Sequence, residues 1–332
     1  MRAPAFWWEQ EPGAASTLLT PVAAVWGLVA ARRMVRSGSR ADVPVICVGN
    51  YVAGGAGKTP TAIACAYLLR QKGWRPAFLS RGYGGSASRG APLRVDALKH
   101  DSRLAGDEAL LLAQHAPTVV AADRIKAARV AQAAGCDVIV MDDGLQNPSL
   151  SKDFRVAVAD AETGIGNGAC IPAGPLRAPL EAQLALTDAL ILIGQGEAGD
   201  RLAGRALARG IAVFRAHLRP DDFAASKISL QRVVAFAGIG RPEKFFATLE
   251  AAGANVVDAY SFDDHQMLTE ANLRSLRETA RKANALLVTT EKDIARLRGL
   301  TDISGIETLP VTLRFEDERA FVDLMLSKIN GG

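Results

Sequence analysis

The sequence predicts an α/β protein, with a mostly parallel sheet covered by helices on both faces and a smaller α/β domain after it. From residue 43 onward, short apolar runs alternate with helical segments, and a glycine-rich turn separates the first run from the first helix. Such alternation is typical of parallel strands buried on both faces. A chain of 332 residues is long enough for two domains.

The first domain is predicted to span residues 41–213. Its strands are short runs of apolar and β-branched residues, and its helices are longer segments with apolar residues at helical spacing. In chain order we expect a strand at Val43–Val48, a helix at Lys58–Leu69, a strand at Pro76–Ser80, a helix at Ala109–Gln114, a strand at Thr118–Ala121, a helix at Arg124–Ala134, and strands at Asp137–Met141, Arg155–Ala159 and Ala189–Ile193.

The second domain is predicted to span residues 214–332, with the boundary near Ala212–Pro220 and with Leu309–Phe315 returning towards it. The same alternation of strand and helix recurs there on a smaller scale. We expect strands at Val233–Ala237, Val256–Tyr260 and Leu286–Thr289, and helices at Pro242–Ala252 and Glu270–Asn284.

Composition and charge narrow the function classes. Hydrophobic residues make up 49% of the chain and charged residues 22%, which suits a globular protein with a sizeable core. The formal net charge of +4, without an aromatic RNA-binding cluster or zinc-finger spacing, argues against nucleic-acid binding. The four widely spaced cysteines form no CxxC pair, so we expect buried free thiols and a reducing compartment: Cys47, Cys65, Cys136, Cys170.

Residues 1–40 form an unusual N-terminal region. No charge occurs from residue 13 to residue 31, and four arginines follow, at Arg32, Arg33, Arg36 and Arg40. A signal peptide would carry its positive charge before the apolar stretch, whereas Glu9 and Glu11 precede it here. Pro21 is predicted to open a helix with Thr20 as its N-cap. That helix would end near Ala31, too short to cross a bilayer.

The same helix carries one apolar face. Val22, Val25, Trp26 and Val29 follow the i, i+3, i+4, i+7 spacing of a single helix side. This face either docks on the core of the protein or lies in a membrane surface, where the arginines would meet anionic head groups. Both interpretations remain open from the residues alone.

The glycine-rich turn indicates a phosphate-binding P-loop of the type found in NTPases. Glycines let successive backbone N–H groups turn towards phosphate oxygens, and the helix N-terminus adds partial positive charge. A lysine here reaches the β- and γ-phosphates, and a threonine can bind Mg²⁺. The first glycine of the usual pattern is replaced by Val52. The residues of the loop are Gly54, Gly55, Ala56, Gly57, Lys58 and Thr59.

Acidic residues at two further positions are candidates for the chemistry. Asp142 and Asp143 end a predicted buried strand, where P-loop enzymes hold Mg²⁺, although strand ends also carry acids for solubility. Asp107 opens an apolar helix and could be a helix cap that favours the dipole. His265, which follows two aspartates, could lie in a solvated loop.

Three arginines lie beside glycine, proline or acidic residues in predicted loops or at a helix start. A guanidinium fork suits phosphate, but a surface salt bridge is an equal alternative for each of them. They are Arg81, Arg124 and Arg177.

The motifs together resemble the tetraacyldisaccharide 4′-kinase family of lipid A biosynthesis. They run in order through nearly the whole chain, which makes the combination highly specific. The matching segments are residues 48–50 with 54–60, 79–84 (Leu-Ser-Arg-Gly-Tyr-Gly), 106–108 (Gly-Asp-Glu), 142–146 (Asp-Asp-Gly-Leu-Gln), 166–168 (Gly-Asn-Gly), 172–177 (Pro-Ala-Gly-Pro-Leu-Arg), 236–246, 264–265 (Asp-His) and 289–293 (Thr-Thr-Glu-Lys-Asp). Val52 in place of the first glycine is typical of this family.

The resemblance implies a transfer of the γ-phosphoryl group of ATP, with Mg²⁺, to the 4′-hydroxyl of an acylated glucosamine disaccharide lipid. It implies that Asp107 is the base and that His265 pairs with it. Thr59 with Asp142 or Asp143 would hold Mg²⁺, and Arg81, Arg124 and Arg177 would neutralise phosphate. The N-terminal helix would bind the cytoplasmic face of the inner membrane in a peripheral or monotopic manner, and no obligate protein partner is implied.

Two positions depart from the family pattern. Asn147 stands where the family has a histidine, and Ala178 stands where it often has a glutamate. Two rival functions also remain: a P-loop switch or metallochaperone NTPase, and a non-catalytic membrane-binding protein with a structural P-loop.

Overall fold

The computed structural model describes residues 3–9, 11, 13–264, 266–299 and 301–331. Its strands are β1 (Val45–Asn50), β2 (Pro76–Ser80), β3 (Leu93–Arg94), β4 (Thr118–Val120), β5 (Val138–Asp142), β6 (Phe154–Asp160), β7 (Ala189–Ile193), β8 (Ala212–Pro220), β9 (Arg232–Ala237), β10 (Asn255–Ser261), β11 (Leu286–Thr289), β12 (Ile306–Thr308) and β13 (Val311–Phe315).

The helices are α1 (Ala14–Met34), α2 (Lys58–Gln71), α3 (Ser102–Ala105), α4 (Asp107–Ala113), α5 (Arg124–Ala133), α6 (Leu180–Leu184), α7 (Glu197–Leu207), α8 (Asp222–Ile228), α9 (Pro242–Ala251), α10 (Glu270–Lys282), α11 (Glu291–Leu297) and α12 (Glu318–Asn330). Two short 3₁₀ helices lie at Ala5–Trp8 and Ser86–Arg89. Apart from the N-terminal helix, the strands and helices predicted from the sequence occur with ends that differ by a few residues.

The larger sheet has nine strands in the order β13-β8-β7-β6-β1-β5-β2-β4-β3. All neighbouring pairs are parallel except the two at the edges, β13 with β8 and β3 with β4. The central strand β1 lies between β5 and β6, with Val48 in register with Asp142. The carboxyl ends of β1 and β5 therefore meet at one edge, where ligands bind in open α/β sheets.

Two hydrophobic clusters cover the faces of this sheet, and β1 contributes to both. Cys47 points into the cluster that contains α5, α6 and α7, whereas Ile46 and Val48 point into the cluster that contains α2 and α12. Alternate residues of a strand face opposite sides, so a strand buried on both faces is apolar throughout. The predicted mostly parallel sheet with helices on both faces is confirmed.

The smaller sheet has four parallel strands in the order β10-β9-β11-β12. Helices α8 and α9 cover one face, and α10 with α11 covers the other. Helix α11 also packs against α4 of the larger unit.

The boundary between the two sheets differs from the predicted division at residue 213. That position lies inside β8, which belongs to the larger sheet throughout. The C-terminal elements β13 and α12 also pack on the larger sheet, whose core includes Phe315 and Phe321. The smaller sheet is thus an insertion between β8 and β13, because its strands span only residues 232–308.

The N-terminal helix is longer than predicted. Helix α1 has 21 residues, with Gly13 as its N-cap and Pro21 inside it, so the predicted start at Pro21 with Thr20 as cap is wrong. Proline has no amide hydrogen, so it is best tolerated in the first turn of a helix. Here Pro21 lies inside the helix, and the hydroxyl of Thr20 donates to the carbonyl of Ser16 one turn earlier. By length and composition alone, α1 is the one described helix apolar enough to cross a membrane.

Candidate active site

The glycine loop connects β1 to α2, as predicted. Gly57 has a φ of +83°, and an added Cβ there would lie 2.3 Å from Cδ1 of Ile193. Only glycine meets both demands without strain. The turn brings Lys58 to the first position of α2, where Nζ donates to the carbonyl of Gly54 at 3.4 Å. The backbone amides and the lysine thus form a cradle for an anion.

Asp142, at the end of β5, lies beside the first turn of α2. Its Oδ2 accepts a hydrogen bond from Thr59 Oγ1 at 3.3 Å. Its Oδ1 is buried and has no hydrogen-bond partner in the described part of the chain. Burial, with the charges of Glu108 and Asp143, raises the pKa of Asp142 to about 7. A bound cation would stabilise the ionised form of this buried carboxylate, so Asp142 is suited to be a cation ligand.

The oxygen atoms at this site are of the kind that binds Mg²⁺. Mg²⁺ prefers oxygen ligands and is usually held by one or two carboxylates together with substrate phosphates and water. Thr59 and Asp142 supply a hydroxyl and a carboxylate at one spot. No group of three or more His, Cys, Asp or Glu side chains arranged for a metal occurs among the described residues.

Asp143 is held differently from its neighbour. Its Oδ1 accepts from Nη1 of Arg177 at 2.7 Å, and the same arginine donates through Nε to the carbonyl of Val52. Burial opposes ionisation of Asp143, but Lys58 and Arg177 outweigh it, so its pKa lies below the ordinary value. The prediction assigns the two aspartates the same role. In the structure Asp143 forms a salt bridge with Arg177, whereas Oδ1 of Asp142 has no partner in the described part of the chain.

The other two predicted arginines differ in exposure. Arg124 is buried and donates through Nη1 to the carbonyls of Ser80 and Ala121, while its Nε has no partner in the described part. Burial, and then the charge of Arg81, lowers the pKa of Arg124. Arg81 is exposed at the end of β2. Both positive charges lie on the P-loop side of the sheet, which suits a polyanionic ligand.

Asp107 begins α4 and is buried. Its Oδ1 accepts from the backbone amide of Glu108 at 2.9 Å, and its Oδ2 accepts from Nη2 and Nε of Arg296 at 2.8 and 3.2 Å. Gly106 precedes it with a φ of +84°, and an added Cβ would lie 2.6 Å from the carbonyl of Tyr83. A glycine is therefore required to bring this helix start against the 82–83 loop.

His265 lies outside the described residues, so its predicted pairing with Asp107 stays a prediction. Its neighbours along the chain contact the same region. Asp264 lies 3.5 Å from Nζ of Lys292, which is also 3.4 Å from Oε1 of Glu108. The carbonyl of Gln266 accepts from Nη1 of Arg296 at 3.3 Å. The loop after β10 thus meets the start of α4 through α11.

Comparisons with known proteins agree with this geometry. The profile of the family described as tetraacyldisaccharide-1-P 4′-kinase matches residues 15–330. The chain belongs to this family.

Relatives named tetraacyldisaccharide 4′-kinase cover nearly the whole chain. The protein of Methylobacterium nodulans is 51% identical over 96% of this chain and 94% of its own length. The protein of Rhodopseudomonas palustris strain HaA2 is 48% identical over 99% of this chain and 97% of its own. The predictions of the family and of a lipid A 4′-kinase are therefore confirmed.

A solved structure of the family has the same fold. The LpxK protein of Aquifex aeolicus, solved in complex with ATP, matches with a TM-score of 0.72 at 25% identity, over 95% of this chain and 99% of that one. The predicted fold class is confirmed by this likeness and by the strand order.

Asn147 and Ala178, the two departures from the 4′-kinase pattern, lie in different surroundings. Asn147 Oδ1 accepts from the amide and hydroxyl of Ser149, at 2.8 and 2.7 Å, so it closes a turn. Ala178 is fully buried, and its carbonyl accepts from Gln183.

Sequence reasoning missed Arg296 and gave Lys292 no role. The signal was present in part, because Lys292 and Asp293 belong to a family motif, and Arg296 lies four and three residues after them on one helix face. Its contact with Asp107 crosses 189 residues of chain, which no local pattern indicates.

Proposed function

We propose that this chain transfers the γ-phosphoryl group of ATP to the 4′-hydroxyl of a tetraacylated glucosamine disaccharide 1-phosphate. The observation that carries phosphoryl transfer is the buried Oδ1 of Asp142, which has no hydrogen-bond partner among the described residues and lies beside Thr59 at the P-loop. Family membership carries the choice of acceptor. Bound Mg²⁺ would supply charge neutralisation on the phosphates, with Thr59 and Asp142 as its protein ligands.

The protein's own residues divide the remaining work. The P-loop amides and Lys58 bind and orient the phosphates. Asp107 accepts the proton of the sugar hydroxyl, and His265 orients or tunes that carboxylate. Arg177, Arg124 and Arg81 offset phosphate charge on nucleotide or lipid.

Contacts between the two units support closure over the nucleotide. Arg241, just before α9, donates to Asp160 Oδ2 at 3.0 Å, at the end of β6, and to Glu162 Oε2 at 2.7 Å, just after it. An added Cβ on Gly240 would lie 3.5 Å from the amide of Gly55 in the P-loop. A loop of the smaller unit thus lies against the phosphate cradle, where it would exclude water.

One assay separates this function from its rivals. The protein is incubated with γ-labelled ATP, Mg²⁺ and the disaccharide 1-phosphate lipid in mixed micelles, and labelled lipid is separated from free phosphate. We expect label in the lipid at the 4′ position, dependent on both Mg²⁺ and acceptor. Release of free phosphate alone would instead indicate a switch NTPase, and neither product together with no ATP-induced thermal shift would indicate a non-catalytic protein.

The exposed side of α1 supports a membrane contact on the cytoplasmic face of the inner membrane. The residues predicted to form one apolar face are exposed: Val22 by 58%, Val25 by 64%, Trp26 by 51% and Val29 by 61%. The opposite side docks on the protein through small residues, because Gly27 approaches Cys170 and Pro179 and Ser16 donates to the carbonyl of Ala173.

An exposed apolar helix face with arginines in and just after the last turn of the helix suits anionic lipid. The arginines are Arg32, Arg33 and Arg36. Trp26 also donates through Nε1 to the carbonyl of Arg177, so the helix lies next to the phosphate site. A lipid held at α1 would have its head group near the P-loop.

Val25→Glu combined with Val29→Glu is expected to weaken binding to anionic vesicles by at least about tenfold, because burial of each valine in the interface contributes on the order of 1.5 kcal/mol. Turnover of the lipid acceptor should fall, while ATP binding and the thermal midpoint remain. Co-sedimentation with phosphatidylglycerol vesicles measures the binding.

The matched control is Leu230→Glu, which changes a leucine that is 90% exposed in the smaller unit. Deletion of residues 1–40 is a poorer test, because it would also remove the Ser16 contact and the bond from Trp7 Nε1 to the carbonyl of Pro172. Unchanged vesicle binding by the double variant would place the lipid contact elsewhere.

A further inference from the structure

We propose that Arg296 is a positioning residue for the phosphoryl transfer: its guanidinium sets the orientation of the Asp107 carboxylate and ties it to two loops of the smaller unit. This inference rests on the proposed function, in which Asp107 is the base. Arg296 belongs to the smaller unit and Asp107 to the larger one, so the contact forms only where α11 packs on α4.

The contact with Asp107 constrains direction as well as charge. Nη2 and Nε of Arg296 both donate to Oδ2 of Asp107, at 2.8 and 3.2 Å. A carboxylate is planar, so fixing Oδ2 from two directions also fixes where Oδ1 points. Oδ1 is further held by the amide of Glu108 at 2.9 Å. The side chains of Asp107 and Arg296 are 5% and 3% exposed, so water cannot replace these hydrogen bonds and let the carboxylate rotate.

The third nitrogen of the guanidinium fixes Arg296 itself. Nη1 donates to Asp293 Oδ1 at 2.9 Å and to the carbonyl of Gly238 at 3.1 Å. Asp293 is in turn held by the hydroxyl of Thr290 at 2.7 Å and by the amide of Gly238 at 3.1 Å. Because these contacts fix the guanidinium of Arg296, it holds the Asp107 carboxylate in one orientation.

The same nitrogen reaches the loop after β10. It donates to the carbonyl of Gln266 at 3.3 Å, so one guanidinium bridges Asp107, the loop after β9 and the loop after β10. Lysine could not replace this bridge, because it presents a point charge on a flexible stem rather than a planar fork. The geometry therefore couples docking of the smaller unit to the placement of the base.

Stability alone is a weak explanation for this buried network. Desolvation of three charges costs about as much as their attraction returns, so a buried ion pair is poor evidence of a stabilising role. Positioning of the base would have a large effect on the rate, because a misplacement of about 1 Å in an active site can lower the rate by on the order of 100-fold.

The test is a double-mutant cycle of Arg296→Lys and Asp107→Asn, measured as kcat on the lipid acceptor at saturating ATP. In the otherwise unchanged protein, Arg296→Lys is expected to lower kcat by about tenfold to 100-fold, with the KM for ATP within about twofold. In the Asp107→Asn background it should cost less than about twofold, because there is no base left to place.

A matched control is Arg241→Lys, which alters another arginine that joins the two units. Its loss, whatever the size, should be the same in both backgrounds. If Arg296→Lys fails to fold, Asp293→Asn disturbs the same guanidinium without touching Asp107 and enters the same cycle.

Two results would overturn the inference while leaving the proposed function intact: kcat near wild type in Arg296→Lys, or equal losses in both backgrounds. Near-wild-type kcat in Asp107→Asn alone would remove the proposed base, and this inference with it.

Discussion

Asp107→Asn is expected to lower kcat on the lipid acceptor by about 10²–10⁴-fold, with little change in ATP affinity. A sugar hydroxyl is a poor nucleophile until its proton has an acceptor, and a positioned base contributes on this scale. Asparagine keeps the shape of the side chain and an oxygen for Arg296, so the buried contact survives while the base is lost.

Asp107→Ala serves as the matched comparison. It should lose a similar factor in kcat but also unfold at lower temperature, because alanine offers no oxygen to the buried Nη2 and Nε of Arg296, whereas asparagine keeps one. Wild-type turnover in the asparagine variant, at full saturation with ATP, would contradict the assignment of the base.

His265→Ala extends this experiment to the predicted pair. If both side chains act as one unit, the loss in the double variant should hardly exceed that of Asp107→Asn alone. Fully multiplicative losses would give His265 an independent role, such as a contact with phosphate or lipid.

Lys58→Ala is expected to lower kcat by at least about 10²–10³-fold, the effect of removing one preorganised group that stabilises transition-state charge. The fold should not depend on this side chain, because its one described hydrogen bond is the long contact with the carbonyl of Gly54. Kinetics with γ-labelled ATP and a thermal melt test the two halves of the prediction.

The control is Lys72→Ala, which removes an exposed lysine at the other end of the same helix. It should leave both kcat and the thermal midpoint unchanged. Turnover near wild type in Lys58→Ala would show that this loop does not hold the transferred phosphate.

Much of the fold could be predicted because its signals are local. A buried parallel strand must be apolar throughout, and the run before Gly49 has that character. The prediction for the N-terminal helix is wrong for an equally local reason: the pattern places Pro21 in the first turn, but the helix begins at Ala14, about two turns before it. The actual N-cap is Gly13, which has no side chain to cap the helix, so the usual Ser, Thr, Asp or Asn signal of a helix start is missing.

The sequence by itself determined the family, the glycine loop before Lys58 and the acidic strand end. The loop and the strand end are each encoded in one continuous stretch of residues, and the family is encoded in motifs that follow one another along the chain. The tertiary structure alone decided that Asp143 is paired with Arg177, that Oδ1 of Asp142 has no partner in the described part of the chain, and that Arg296 binds Asp107. Those facts depend on which strands are neighbours and on how an inserted sheet packs against α4. Contacts between residues so far apart follow from three-dimensional packing, and no periodicity along the chain encodes them.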